Sequence, residues 1–311
     1  MSVIFFLAGL ILLLLGANGI VNCALKIARK IHMSPLVVGI TVVAIGTSLP
    51  EIVVSFFGGI DNATHLALGN IIGSNIANIG LILGISLLFS DVRVGTHKTQ
   101  SNGILYFSLS LVVFLILLTN NLNFISGSAL ILSGLAILWK QIHQGLNGAL
   151  IEDKKMFQKM TIAHDNSLTL GLYFTISLII IVVGGKLLVD YGVILARIFG
   201  LSETIIGITL IAIGTSLPEL AVTVMGILKK EEKLVLGNIL GSNMYNILLG
   251  GGILGLFNVK SLDNNPTLLF FLSLSFMLSY VIFAFKGMQI PRYYGAILLF
   301  FYGVYLALMF T

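Results

Sequence analysis

The sequence predicts an all-α integral membrane protein of ten transmembrane helices, arranged as two inverted-topology five-helix repeats. Three observations predict it. Hydrophobic residues make up 57% of the 311 residues and charged residues only 9%, whereas soluble domains carry about 25% charged residues. A pair of long motifs recurs at one fixed offset. Lys and Arg gather on one side of the expected crossings.

Stretches apolar enough to cross a hydrocarbon core roughly 30 Å thick are expected at 2–23, 35–58, 65–89, 102–119, 124–140, 168–196, 202–228, 234–257, 267–285 and 293–310. The first has no basic region ahead of it and no small-residue cleavage site, so it reads as a crossing and not as a signal peptide. With an even count both termini share a side. Sorting the basic residues by loop parity puts fourteen on one side, from Lys26 and Arg29 to Lys286 and Arg292. The other side has only Arg197 and Lys260, and Lys186 lies within the sixth crossing. The basic side is the cytoplasm, so both termini are expected outside. A multi-pass protein of a prokaryotic inner (plasma) membrane is the expected location. The same short basic loops explain the net charge of +5 without nucleic acid.

The polar stretch 141–166 is read as a cytoplasmic linker between a first repeat, 1–140, and a second, 167–311. Gly39 to Ser55 reads GITVVAIGTSLPEIVVS, and Gly207 to Thr223 reads GITLIAIGTSLPELAVT, identical at twelve of seventeen positions. Leu68 to Ile79 (LGNIIGSNIANI) and Leu236 to Ile247 (LGNILGSNMYNI) agree at nine of twelve, again 168 residues apart. A constant offset means one duplicated unit. Since each half holds an odd number of crossings, the second is inserted upside down, an arrangement that places a transport site near the midplane.

Glu51 and Glu219 fall inside crossings. An ionised carboxylate there costs at least about 2.5 kcal/mol unless it faces a protein interior or a bound cation. No Lys or Arg lies at comparable depth beside either in sequence, and two carboxylates close together call for an intervening cation or proton. Ala44, Thr47, Ser48 and Glu51 follow helical i, i+3, i+4, i+7 spacing, as do Ala212, Thr215, Ser216 and Glu219. Pro50 and Pro218 lack an N–H, so a kink that bares the carbonyls of Gly46 and Gly214 is expected. Asn70, Ser74 and Asn78 step by four, and so do Asn238, Ser242 and Asn246. Oxygen-only ligands suit hard cations, whereas soft metals want Cys or His. Asn75 and Asn243 point off this face and are expected to make interhelical hydrogen bonds. Lys186 and Asp190, one turn apart, are expected to form a local pair.

Paired GTSLPE and GSNxxN segments in two inverted halves resemble the alpha repeats of the calcium/cation antiporter superfamily, and most of all prokaryotic sodium/calcium exchangers. The resemblance covers essentially the whole chain. It implies that Glu51 and Glu219 coordinate the ion, assisted by Thr47, Ser48, Ser74 and Asn78, by Thr215, Ser216 and Ser242, and by the carbonyls of Ala44 and Ala212. Calcium and sodium would compete for these ligands as transported ions, with no resident cofactor, and long first and sixth helices would slide to switch access. Asn246 stands where several family members carry aspartate, leaving two formal negative charges and arguing against potassium cotransport. Apart from the bilayer, no obligate protein partner is evident.

Two further readings use the same residues. A proton/calcium or other divalent exchanger would let the two glutamates carry protons in place of sodium. A passive cation channel would conduct without a counter-ion, but pores are normally built by symmetric subunits or carbonyl filters. No nucleophile with a base, phosphate loop or metallohydrolase motif points to an enzyme.

Overall fold

The computed structural model describes residues 2–95, 97–148, 166–198, 214–257, 259 and 266–309. Among them the chain is helical, with no strand beyond a single bridge between Arg93 and Gln289. Six helices are long and apolar enough to cross a membrane, or seven if a bent pair is one span. The chain is thus an integral, multi-pass membrane protein.

In chain order the helices are α1 (Ser2–Lys30), α2 (Pro35–Val38), α3 (Ala44–Thr47), α4 (Leu49–Ile60), α5 (Thr64–Ala77), α6 (Gly84–Phe89), α7 (His97–Leu118) and α8 (Phe124–Gly148). They continue with α9 (Ser167–Ile198), α10 (Leu217–Leu228), α11 (Glu232–Tyr245), α12 (Gly251–Gly255), α13 (Pro266–Ala284) and α14 (Tyr293–Met309). Among the described residues three π-helical turns join them: Gly39–Val43, Asn78–Leu83 and Asn246–Gly250. Residues 202–213 of the expected seventh crossing lie outside the described residues, as do 149–165 of the linker.

At their C-terminal ends α1 and α8 run well past the apolar stretches. α1 continues to Lys30 because Arg29 and Lys30 in its last turn favour the negative end of the helix dipole. It stops where His32 takes φ +54 and the Met33 N–H reaches the Ala28 carbonyl at 2.9 Å. α8 likewise runs on to Gly148. Lys186 and Asp190 are both exposed, and no ion pair joins them among the described residues. A Lys placed four residues before an Asp is the less favourable order for such a pair.

Two compact units divide the chain. The first comprises residues 1–47 and 138–238. Its centre is the pair α1 and α9, whose close approach depends on small residues, the usual means of helix association where lipid is as apolar as the side chains. A Cβ on Gly16 would stand 2.6 Å from the Ile181 nitrogen, and one on Gly184 only 2.5 Å from the Leu13 nitrogen. Leu13, Ala17, Ile20, Val21 and Ala24 pack with Ile181, Val222 and Leu234. The opposite faces carry Ile11, Leu15, Leu172, Ile176 and Ile179, each more than half exposed. Those faces meet lipid.

The second unit comprises 48–137 and 239–311. Thr64–Phe89 runs through its middle, with 78% of its apolar window buried against 28% for α1. Tyr106 and Ser275 share a 2.9 Å hydrogen bond, and the Ser279 hydroxyl reaches the Gly103 carbonyl at 2.8 Å. Such buried polar links tie α7 to α13 without exposing a donor to lipid.

Candidate ion-binding site

The GTSLPE segment breaks its helix. Ser48 leaves the helical region at φ −83°, ψ 3°, and the axes on either side differ by 43°. Pro50 cannot donate to the Gly46 carbonyl, so the new helix starts afresh, with the Ile52 N–H on the Ser48 carbonyl at 3.1 Å. The second copy repeats this: Ser216 takes φ −85°, ψ 5°, and the Leu220 N–H reaches the Ser216 carbonyl at 3.0 Å. Asn62 and Lys230, also 168 residues apart, both end their helices at positive φ, 57° and 59°. The duplication therefore extends to backbone geometry.

A helix that begins at Leu49 puts Glu51 in its first turn, and one that begins at Leu217 does the same for Glu219. Both side chains are 0% exposed. A carboxylate in the first turn faces the positive end of the helix dipole, which offsets part of the cost of burying it. The hydropathy pattern places both glutamates inside crossings and not at a helix start. The signal was there in Ser-Leu-Pro-Glu, which has the S-x-x-E spacing of a helix start with Pro inside the first turn, although neither Ser side chain caps its helix.

In the second unit, α4 packs on α5, on α12 and on the turn Asn246–Gly250. The Ser74 hydroxyl donates to Oε1 of Glu51 at 3.3 Å. Nδ2 of Asn78 donates to Oδ1 of Asn243 at 3.2 Å. Ser48, Glu51, Ser74, Asn78, Ser242 and Asn246 are all wholly buried. Oδ1 of Asn78 and Oδ1 of Asn246 have no hydrogen bond, although a buried amide oxygen normally finds a donor. Each Asn opens a π-helical turn. Such turns displace backbone and often mark functional positions, and nothing in the residue types announced them.

In the first unit, the Thr47 hydroxyl lies 3.4 Å from the Ala44 carbonyl and 3.3 Å from Oδ1 of Asn238, to both of which it donates. Glu219 is buried on α10, which packs on α1 and α3, and Ser216 is buried just before that helix, with Thr215 half-buried beside it. Oγ of Ser216 makes no hydrogen bond. Ala212 lies outside the described residues. Asn238, which steps with Ser242 and Asn246, accepts from Thr47, and Asn243 accepts from Asn78. Asn243 makes the expected interhelical bond, whereas Nδ2 of Asn75 returns to the Ile71 carbonyl of its own helix at 2.8 Å.

The buried polar groups are thus carboxylate, hydroxyl, amide and carbonyl oxygens. Among the described residues no group of three or more His, Cys, Asp or Glu gathers. Oxygen donors with few formal charges suit sodium or calcium better than a transition metal.

The model of the family "Sodium/calcium exchanger protein" matches residues 1–142 and 169–311. The chain belongs to the sodium/calcium exchanger family. It is similar to the sodium/calcium exchanger MaX1 of Methanosarcina acetivorans, 31% identical over 98% of this chain and 97% of that protein. It is also similar to the inner membrane protein YrbG of Escherichia coli, 35% identical over 83% of this chain and 80% of that one. A solved structure of the sodium-calcium exchanger NCX_Mj, soaked with sodium and strontium, superimposes with a TM-score of 0.84 at 31% identity, covering 99% of both chains. As a family member the protein is a membrane antiporter that transports calcium and a counter-cation.

Proposed function

We propose that the protein is a secondary active antiporter that exchanges sodium for calcium by alternating access, with Glu51 and Glu219 jointly holding the ion. One observation carries the reading: two carboxylates from duplicated segments are each wholly buried in the first turn of a broken helix. Thr47, Ser48, Ser74, Asn78, Thr215, Ser216, Ser242, Asn246 and the carbonyls of Ala44 and Ala212 complete an oxygen shell in this reading. The ions are cargo, and no resident cofactor or protein partner takes part.

Ten crossings in two inverted repeats, 1–140 and 167–311 about the cytoplasmic linker 141–166, would bring the two glutamates together near the midplane. Both termini would lie outside an inner membrane, following the distribution of Lys and Arg. With neutral Asn at 78 and 246, two formal negative charges face the ions. One calcium or two sodium ions balance them, a third sodium leaves the loaded site positive, and no extra carboxylate favours potassium.

The test is calcium-45 uptake into sodium-loaded proteoliposomes diluted into sodium-free buffer. Uptake that requires the outward sodium gradient supports the proposal. Uptake driven by a pH gradient alone assigns the same glutamates to proton/calcium exchange, and flux without any counter-ion makes the protein a channel.

A further inference from the structure

We infer that Asn243 is a positioning residue for the ion site: without being a ligand, it holds the Asn78 amide so that the oxygen, and not the nitrogen, faces the ion. The inference deepens the proposed role of Asn78 as an oxygen ligand and rests on that reading. Both residues lie in the second unit.

An asparagine can present either end of its side chain, and the two ends are opposites. The oxygen ligates a hard cation, whereas the nitrogen carries two N–H donors and repels one. Nothing in Asn78 itself decides between them. Asn243 decides, because Nδ2 of Asn78 donates to Oδ1 of Asn243 at 3.2 Å. With the nitrogen held, Oδ1 of Asn78 is the end turned elsewhere, and it is buried without a hydrogen bond. A buried amide oxygen normally has a donor, and a hard cation is a partner that suits it. Asn78 stands one turn past Ser74, whose hydroxyl is on Glu51, so it shares the face that serves the carboxylate. Asn243 is 0% exposed, and no bulk water competes for its oxygen.

The duplication supplies the contrast. Asn75 is the counterpart of Asn243, 168 residues earlier, yet its Nδ2 returns to the Ile71 carbonyl of its own helix at 2.8 Å. Asn246, the counterpart of Asn78, has neither side-chain atom in a hydrogen bond. The residue types are the same in both pairs, but only at Asn78 is the oxygen preset.

Calcium titrations of initial calcium-45 uptake test it, under whichever gradient, sodium or proton, drives the wild type. Asn78→Ala should raise the calcium concentration for half-maximal uptake, because a ligand is lost. Asn243→Ala should raise it about tenfold, as removal of a group that orients a metal ligand commonly does, with the maximal rate and the thermal transition near wild type. Asn243→Leu, close in volume and also without an acceptor, should give the same shift, whereas Asn75→Ala should give none. In an Asn78→Asp background both ends of the side chain are oxygen, so adding Asn243→Ala should shift half-saturation by less than about twofold. An equal shift in both backgrounds would overturn the inference, as would equal effects of Asn75→Ala and Asn243→Ala, or unchanged half-saturation in Asn243→Ala beside a raised value in Asn78→Ala. Unchanged half-saturation in Asn78→Ala itself would show that Asn78 is no ligand, and the underlying reading would fall together with the inference.

Discussion

Ser74 donates its hydroxyl to Oε1 of Glu51 across 3.3 Å, from α5 to α4, with both side chains wholly buried. A hydrogen bond to a charged acceptor is worth about 1.5–3 kcal/mol, and this one fixes the carboxylate's orientation. Ser74→Ala should therefore raise the calcium concentration needed for half-maximal exchange roughly tenfold, with little change in maximal rate. A calcium titration of initial uptake reads both.

The break at Ser48 depends on the missing N–H of Pro50. Pro50→Ala restores a donor for the Gly46 carbonyl and lets the helix run on through Ser48. Exchange should fall by about an order of magnitude as the bend relaxes and Glu51 leaves a helix start, while the melting temperature in detergent holds or rises. Loss of transport with a lower melting temperature would point to misfolding instead.

How much of this was legible in the sequence follows from what each signal depends on. Apolar length and the 168-residue offset gave the helices and the paired motifs, because bilayer thickness and gene duplication write directly into residue type. The helix break at Ser48 and Ser216 is half legible: Pro50 and Pro218 announce a bend, while the Ser-x-x-Glu spacing to Glu51 and Glu219 marks a helix start without a side-chain cap. The π-helical turns at Asn78 and Asn246 have no counterpart in hydropathy. They depend on how α5 and α11 pack against their neighbours, which a single sequence does not display. The same holds for Asn75, whose bond back to Ile71 and whose alternative across a helix interface are equally compatible with its position.

Gly16 allows α1 to lie against the backbone of α9. Gly16→Val introduces atoms where the Ile181 nitrogen and the Ser177 carbonyl already stand, and overpacking of this kind typically costs about 1–3 kcal/mol. Thermal unfolding in detergent should show a lower transition. Gly171→Val, on the same helix pair at a position with nothing within 4 Å, should leave it near the wild type.

Glu231 lies in the loop after α10, where burial pushes its carboxyl above the usual range despite Arg29 and Lys229 nearby. A carboxyl raised in the folded state favours folding only while protonated. Its contribution is full below the ordinary Glu value of about 4.3 and is lost as pH rises through the raised value. Glu231→Gln should accordingly raise the melting temperature at pH 7.5, and the gain should shrink toward pH 4. A gain independent of pH would show that charge is not its cause.

In the proposed mechanism Glu51 and Glu219 hold the ion together, and neutralising each in turn tests this most directly. In sodium-loaded proteoliposomes, Glu51→Gln and Glu219→Gln should each reduce sodium-dependent calcium-45 uptake to background while the purified variants still elute as folded protein. Full uptake by either folded variant would contradict the account, because the site would then be working with one carboxylate.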